Sequence, residues 1–376
     1  MIRPAQLLSL VVAGAVLVGA GLWLASRQGA GGSAEDAQGA VLPLHQTDLN
    51  AVTRLRIFKG DGSHATLVRA ADRWLVGERG YPADTGQVRK LLLDLSSLQV
   101  EEQKTDDPAL YPKLGVEEPK GAKSTSTGLT IDLNGRTLGL IIGHPSGTRS
   151  VYLRVAGQAR SVLATPQLAP DADPRHWLDR TLLDIAPDRV TQVDLKPQSG
   201  PEYTLKRAAA AGPGGGEYTV TPLPKGRELS DPQAPASQAG ALAGLQLDDV
   251  RKAGTAAATA HATFRTSDGL SIALAGIPEA EQRYITIAVT GSSPAAQSQA
   301  HDLNARLAGW EFQIPGYRYD SLFRPLEQLL KPKPVKAAPG SSAPVSRAPA
   351  AKRARLPFGP QSGAADQDKV TPQQSH

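Results

Sequence analysis

Histidine, serine and clustered aspartate are the residue types here whose spacing could support chemistry. The histidines are His45, His64, His144, His176, His261, His301 and His376. A zinc helix presents two imidazoles one turn apart, as in His-Glu-x-x-His, and no pair in this chain has that spacing. They read as surface and turn residues. Gly143-His144-Pro145-Ser146-Gly147 offers a serine between glycines. A nucleophile elbow needs Gly-x-Ser-x-Gly between a strand and a helix, whereas this segment reads as a link between two strands. Asp171, Asp173, Asp179 and Asp184 form an acidic cluster able to hold calcium weakly. It lacks the loop glycine and terminal bidentate Glu of an EF-hand, so capping and a solvated face explain it better. Gly212-Pro-Gly-Gly-Gly216 lacks the Lys-Ser/Thr and the strand-to-helix setting of a phosphate loop. No catalytic, cofactor-binding or metal-ligating residue is assigned, and the chain is expected to be no enzyme and to carry no cofactor.

Trp74, Tyr81, Trp177 and Trp310 offer chemistry of another kind, since aromatic faces line grooves for glycans and peptides. Aromatics make up only 5% of the chain. Anchoring the core is the preferred use of such scarce large rings.

Those residues need a frame, and the stretch from Trp74 to Glu102 is its clearest part. Trp74-Leu75-Val76 reads as a strand and Tyr81-Pro82-Ala83-Asp84 as the lead into a helix. Val88, Leu91, Leu92, Leu95 and Leu98 recur at three and four residues, one stripe of a 3.6-residue helix. Asp84 stands at the N-cap position with Gln87 three residues on. Before it, Val52 to Ile57 and Ala65 to Arg69 read as a hairpin about Gly60-Asp61-Gly62. After it, Leu129 to Leu133 and Thr137 to Ile142 flank Asn134-Gly135, a type I′ turn sequence. Ser150 to Val155 and Ser161 to Ala164 continue the sheet, and Trp177 to Leu183 suggests a short connecting helix.

Much of this plan recurs. Val190-Thr-Gln-Val193-Asp-Leu195 matches Val52-Thr-Arg-Leu55-Arg-Ile57, and Leu242-Ala-Gly-Leu245-Gln-Leu-Asp-Asp249 matches Leu95-Ser-Ser-Leu98-Gln-Val-Glu-Glu102. Thr263 to Leu274 answers Thr130 to Leu140, and Tyr284 to Val289 answers Tyr152 to Val155. The fold class is α+β: two tandem antiparallel sheet-plus-helix repeats, 47–186 and 187–330. The second closes with a strand at Trp310 to Ile314 and a helix from Tyr317 to Leu330. The stretches Ala208 to Gly216 and Gly254 to Ala260 read as low-complexity.

Pro4 to Ser26 contains no charged side chain. As a helix those residues would reach roughly 35 Å, enough to cross a bilayer's hydrocarbon core. Residues 1–27 are therefore expected to form a single transmembrane anchor, followed by a flexible linker, 28–46, with structure beginning near Asp48. The competing reading is a cleaved signal peptide, whose apolar region is normally shorter. Either way the bulk of the chain is exported. Residues 331–376 read as a disordered basic tail rich in Pro and Ala.

The chain has no cysteine, which excludes disulfides, thiolate metal sites and cysteine nucleophiles. Its net charge of +5 is local: from Lys331 onward there are eight Lys or Arg against two Asp, leaving residues 1–330 near −1. No nucleic-acid partner is expected of such a neutral body. The tail's Lys352, Arg353 and Arg355 suit anionic lipid or wall polymer.

The Trp-x-Val strand, Tyr81-Pro-Ala-Asp84, Tyr111-x-x-Leu114-Gly115-Val116-x-x-Pro119, Ile142-Gly143 and Gly309-Trp310-x-Phe-x-Ile314-Pro315-x-Tyr317 together resemble the bacterial family called domain of unknown function 4340. The resemblance covers roughly residues 48 to 330. It implies a membrane-anchored envelope protein, single-pass in the bacterial cytoplasmic (inner) membrane with its bulk extracytoplasmic. It also implies an accessory or scaffold role beside an ABC permease or auxiliary subunit of a gliding-motility-like transport complex. The alternatives are an envelope glycan- or peptide-binding module and a hydrolase with an unrecognised site.

Overall fold

The computed structural model describes residues 39–208 and 217–332. The expected anchor, the segment Gly212 to Gly216 and the tail beyond 332 lie outside the described residues. Among the described residues no helix is long and apolar enough to cross a membrane.

Alternating apolar and polar residues build a nine-stranded antiparallel sheet from the first half. Its strands are β1 (Val52–Lys59), β2 (His64–Ala70), β3 (Arg73–Val76), β4 (Tyr81–Pro82), β5 (Gln99–Gln103), β6 (Thr127–Leu133), β7 (Arg136–Ser146), β8 (Ser150–Val155) and β9 (Ser161–Thr165). They lie in the order β4-β3-β2-β1-β6-β7-β8-β9-β5. Asn134 and Gly135 both have positive φ, as the type I′ hairpin turn between β6 and β7 requires. Helix α1 (Thr85–Ser96) follows β4, and the Asp84 carboxylate accepts from the Gln87 backbone N–H at 3.1 Å as its cap. Val88, Leu91, Leu92 and Leu95 of α1 are all buried.

A connector carries β10 (Thr181–Leu183), and then the second half builds an eight-stranded sheet. Its strands are β11 (Val190–Lys196), β12 (Tyr203–Arg207), β13 (Tyr218–Thr221), β15 (Asp249–Lys252), β16 (Ala260–Thr266), β17 (Leu270–Glu279), β18 (Gln282–Gly291) and β19 (Trp310–Gln313), while β14 (Leu245–Gln246) pairs apart with β10. The order is β13-β12-β11-β16-β17-β18-β19-β15. With β11 set on β1, this repeats the first sheet strand for strand, short only of β4.

Fine detail repeats too. The pairing slips by one residue after Val52 in β1 and after Val190 in β11. At each slip a threonine hydroxyl donates to the partner strand, Thr53 to the Asp132 carbonyl at 3.2 Å and Thr191 to the Arg265 carbonyl at 3.1 Å. Such a bulge bends its strand locally, so both copies bend at the same place.

The buried side chains of both sheets, Leu55, Ile57, Leu129 and Ile131 with Val193, Leu205, Phe264 and Ile272, belong to one apolar cluster. Its burial is the main force holding the body together. A second, small cluster of Tyr111, Val116 and Ile141 sits elsewhere. Leu140 and Ile142 join the main core while Ile141 between them does not, so this cluster occupies the other face of β7. There the short helix α2 (Tyr111–Leu114) and the Gly115-Val116 turn lie over the sheet.

Four expectations need correction. Ordered pairing begins before Asp48: Ala40 bridges Gln99, and Leu42 and Leu44 are buried, because the apolar Val41-Leu42-Pro43-Leu44 run packs rather than tethers. Trp177 to Leu183 is no helix; a 3-10 turn over Pro174–Trp177 gives way to β10, whose partner β14 claims its backbone. The closing helix is two pieces, a helix over Gly316–Leu322 and a 3-10 turn over Leu326–Leu329. Pro325 breaks it, having no N–H to continue the ladder. Finally, besides α3 (Ala234–Ala239), the second half contains an unforeseen helix, α4 (Pro294–Leu307), packed on β17 and β18. It buries only Ala296, Ala300 and Leu307, too sparse a stripe to show in the pattern. The closing helix Gly316–Leu322 is α5.

Candidate functional site

The residues singled out for chemistry scatter. The His45 backbone N–H donates to Asp48, and the His64 ring lies 3.7 Å from Glu78. His144 Nε2 and Thr125 Oγ1 are 3.1 Å apart, and His176 Nδ1 lies 2.5 Å from Asp171 Oδ2. His301 is exposed on α4, His261 is exposed on β16, and His376 lies outside the described residues. Among the described residues no group of three or more His, Asp or Glu is placed to hold a metal ion. Ser146 ends β7 opposite Ser150, inside a hairpin, which is not the setting of a nucleophile elbow.

The acidic cluster is spoken for by the backbone and by cations. Asp173 caps the 3-10 turn and takes three hydrogen bonds from the Arg175 side chain, which hold its carboxyl down at about 2. Asp179 accepts from the Thr181 N–H, and Asp184 from the Gly244 N–H at 2.9 Å.

The aromatic residues are brought together in part. Trp74, Tyr81 and Trp177 are buried core residues, and Trp310 is half-buried. Tyr81 from the first half meets Trp310 and Phe312 of the second edge-on, with ring centroids 5.2 and 5.9 Å apart. Its hydroxyl has no hydrogen-bond partner among the described residues, and burial pushes it up to about 12. Over the other ring of that contact, Lys252 Nζ stands 3.5 Å from the Trp310 centroid, a cation–π distance.

Around this contact runs a seam between the halves. Arg79 forks onto Asp249, Nε to Oδ1 at 2.6 Å and Nη2 to Oδ2 at 2.8 Å. Arg180 donates to the Leu247 carbonyl and to Asp248, both at 2.9 Å. Arg306, in the last turn of α4, donates to the Leu182 carbonyl at 2.7 Å. Sequence reasoning found the phrase Leu247-Asp248-Asp249 by its likeness to Val100-Glu101-Glu102 but could not see that its acids face arginines of the other half. Charge type alone carries no address.

At one end of the seam the chain leaves a cleft of about 460 Å³. Its walls are the tip of the β2–β3 hairpin with Arg73 and Leu75, then Pro82, and across from them Ala305, Arg306 and Trp310. A cleft of this size suits a small molecule or a few residues of peptide. Of the four aromatics, only Trp310 lines it.

A family model described as Domain of unknown function (DUF4340) matches residues 74–266, just over half of the chain. Neither a curated protein nor a solved structure matches it.

Proposed function

Because the chain belongs to the DUF4340 family, we propose that it is a membrane-anchored extracytoplasmic protein that works by contact rather than turnover, as an accessory or scaffold subunit of an ABC-type transport complex. The observation that carries this reading is Tyr317. It is 71% exposed on α5, while Ile314 just before it is buried. Tyrosine is over-represented among the residues that dominate protein–protein contacts. Arg318 beside it, with its guanidinium 5.8 Å from the Tyr317 ring, adds the second residue type common at such centres. The uncharged run Pro4 to Ser26 supplies the expected membrane attachment, and the welded halves supply a stiff support.

The test is a photoreactive phenylalanine analogue at position 317, irradiated in native membranes. Capture of an ABC permease or its auxiliary subunit supports the reading; a chain that is never crosslinked, or is recovered in the cytosol, overturns it.

The cleft favours a second reading, an envelope peptide-binding module, because Arg73 in its wall has no side-chain partner among the described residues and Trp310 lends it an aromatic surface.

A further inference from the structure

The cleft holds charge that the protein does not neutralise. Arg73 is exposed on β3, and its side chain makes no hydrogen bond or ion pair among the described residues. Arg306 donates through Nη2 to the Leu182 carbonyl, and its other donors find no partner there. A guanidinium offers five N–H donors in a planar fork, so most of this donor set is without a protein partner among the described residues.

The rest of the lining narrows the ligand. Ala70, Ala71, Gly80 and Ala305 are small, so a peptide backbone can approach closely. Leu75, Pro82 and the half-buried Trp310 give apolar surface for one side chain. Asp72 at the hairpin tip contributes one negative charge, which opposes ligands carrying several. One carboxylate matches two guanidinium forks with one nearby acid better than a phosphate or an acidic polymer does.

We propose that this cleft takes the C-terminal end of a peptide with a small apolar last residue. The terminal carboxylate sits between Arg73 and Arg306, and the last side chain packs on Leu75, Pro82 and Trp310. This inference deepens the peptide-binding reading and does not depend on membrane attachment or on Tyr317.

Titration calorimetry of the full-length chain tests it, with tri-alanine free acid, tri-alanine amide, inorganic phosphate and galacturonic acid as probes. The free acid should bind, and the amide should bind at least roughly tenfold more weakly. Arg73→Ala should weaken the free acid by a similar factor while leaving the unfolding temperature unchanged, since its side chain holds nothing in the fold. Arg306→Lys, which keeps the charge but loses the fork, should weaken it less than Arg306→Ala. Equal binding of acid and amide, tighter binding of phosphate or galacturonic acid, or no heat with tri-alanine up to about 10 mM overturns the proposal.

Discussion

Arg79 and Asp249 stand 170 residues apart and meet in a two-bonded fork at 2.6 and 2.8 Å. One sits in the turn between β3 and β4, the other opens β15. Both side chains are mostly shielded from water, at 29% and 20% exposure. The pair is therefore stronger than an open surface bridge, and the hydrogen bonds that Arg79 donates to Asp249 raise its pKa above the ordinary arginine value.

If that fork fastens the halves, a double-mutant cycle must show it. Arg79→Ala and Asp249→Ala should each cost about 1–2 kcal/mol, and the double variant little more than either, a coupling of about 1 kcal/mol. Chemical denaturation of the four proteins measures this. Additive losses would mean that the two residues act separately.

Tyr81 and Tyr203 make a contrasting pair. Both are buried, and burial raises each hydroxyl to about 12. Tyr203 donates to the Arg324 carbonyl at 2.6 Å and shares a bond with Gln238, whereas the Tyr81 hydroxyl has no partner among the described residues. Tyr81→Phe should hold or raise stability by about 1 kcal/mol, while Tyr203→Phe should lower it by about 1 kcal/mol. A raised pKa means the folded state keeps its proton longer. Its contribution is thus full below pH 10.0, the ordinary tyrosine value, and is lost as pH rises through about 12. Thermal melts across that window should show a shallower alkaline loss in Tyr81→Phe than in the parent.

The sequence exposes those parts of the fold whose signal is local. The β1–β2 hairpin, the Asn134-Gly135 turn and the Asp84-capped α1 each carry their own period and punctuation, and each forms, although α1 stops at Ser96, short of the Leu98 that closes its expected stripe, and Gln99–Gln103 leaves it as β5. Strand likeness between Val52 to Ile57 and Val190 to Leu195 reaches further, since the bulge threonines Thr53 and Thr191 were part of the repeated phrase. What stayed hidden depends on distant partners. Helix α4 buries alanines, which carry little hydropathy contrast, and β10 is a strand only because β14 comes to meet it. The cleft was hidden for the same reason, since Arg73 and Trp310 become neighbours only through the seam.

Arg154 is the buried cation under the small cluster. Its guanidinium donates to the Val116 carbonyl at 2.9 Å, the Gln158 carbonyl at 3.1 Å and Glu118 at 2.8 Å, and it lies 4.6 Å from the Tyr111 ring centroid. Arg154→Met keeps most of the volume but strands the buried Val116 carbonyl, while the half-exposed Glu118 turns to water, and should cost about 2 kcal/mol. Arg154→Lys cannot serve three separated acceptors in a plane and should recover less than half of that. Hydrogen exchange should localise the damage to residues 111–118, with the main core still protected. Uniform loss of protection would mean that Arg154 supports the whole body instead.

Gly143 and Gly115 explain why that loop can lie so close to the sheet. A Cβ on Gly143 would stand 2.3 Å from the Leu114 carbonyl oxygen, and one on Gly115 would stand 2.8 Å from the His144 ring. Gly115 also has φ 67°, a left-handed conformation that costs other residues roughly 1 kcal/mol or more. Gly143 has no such φ, so its requirement is space alone. Gly143→Ala should therefore push the loop outward and lose about 2 kcal/mol, through contact with rigid backbone that has no rotamer to yield. Gly39→Ala, where nothing lies within 4 Å of the added carbon, serves as the control and should be neutral. Should the two variants melt together, the loop does not rest on β7 as closely as these distances require.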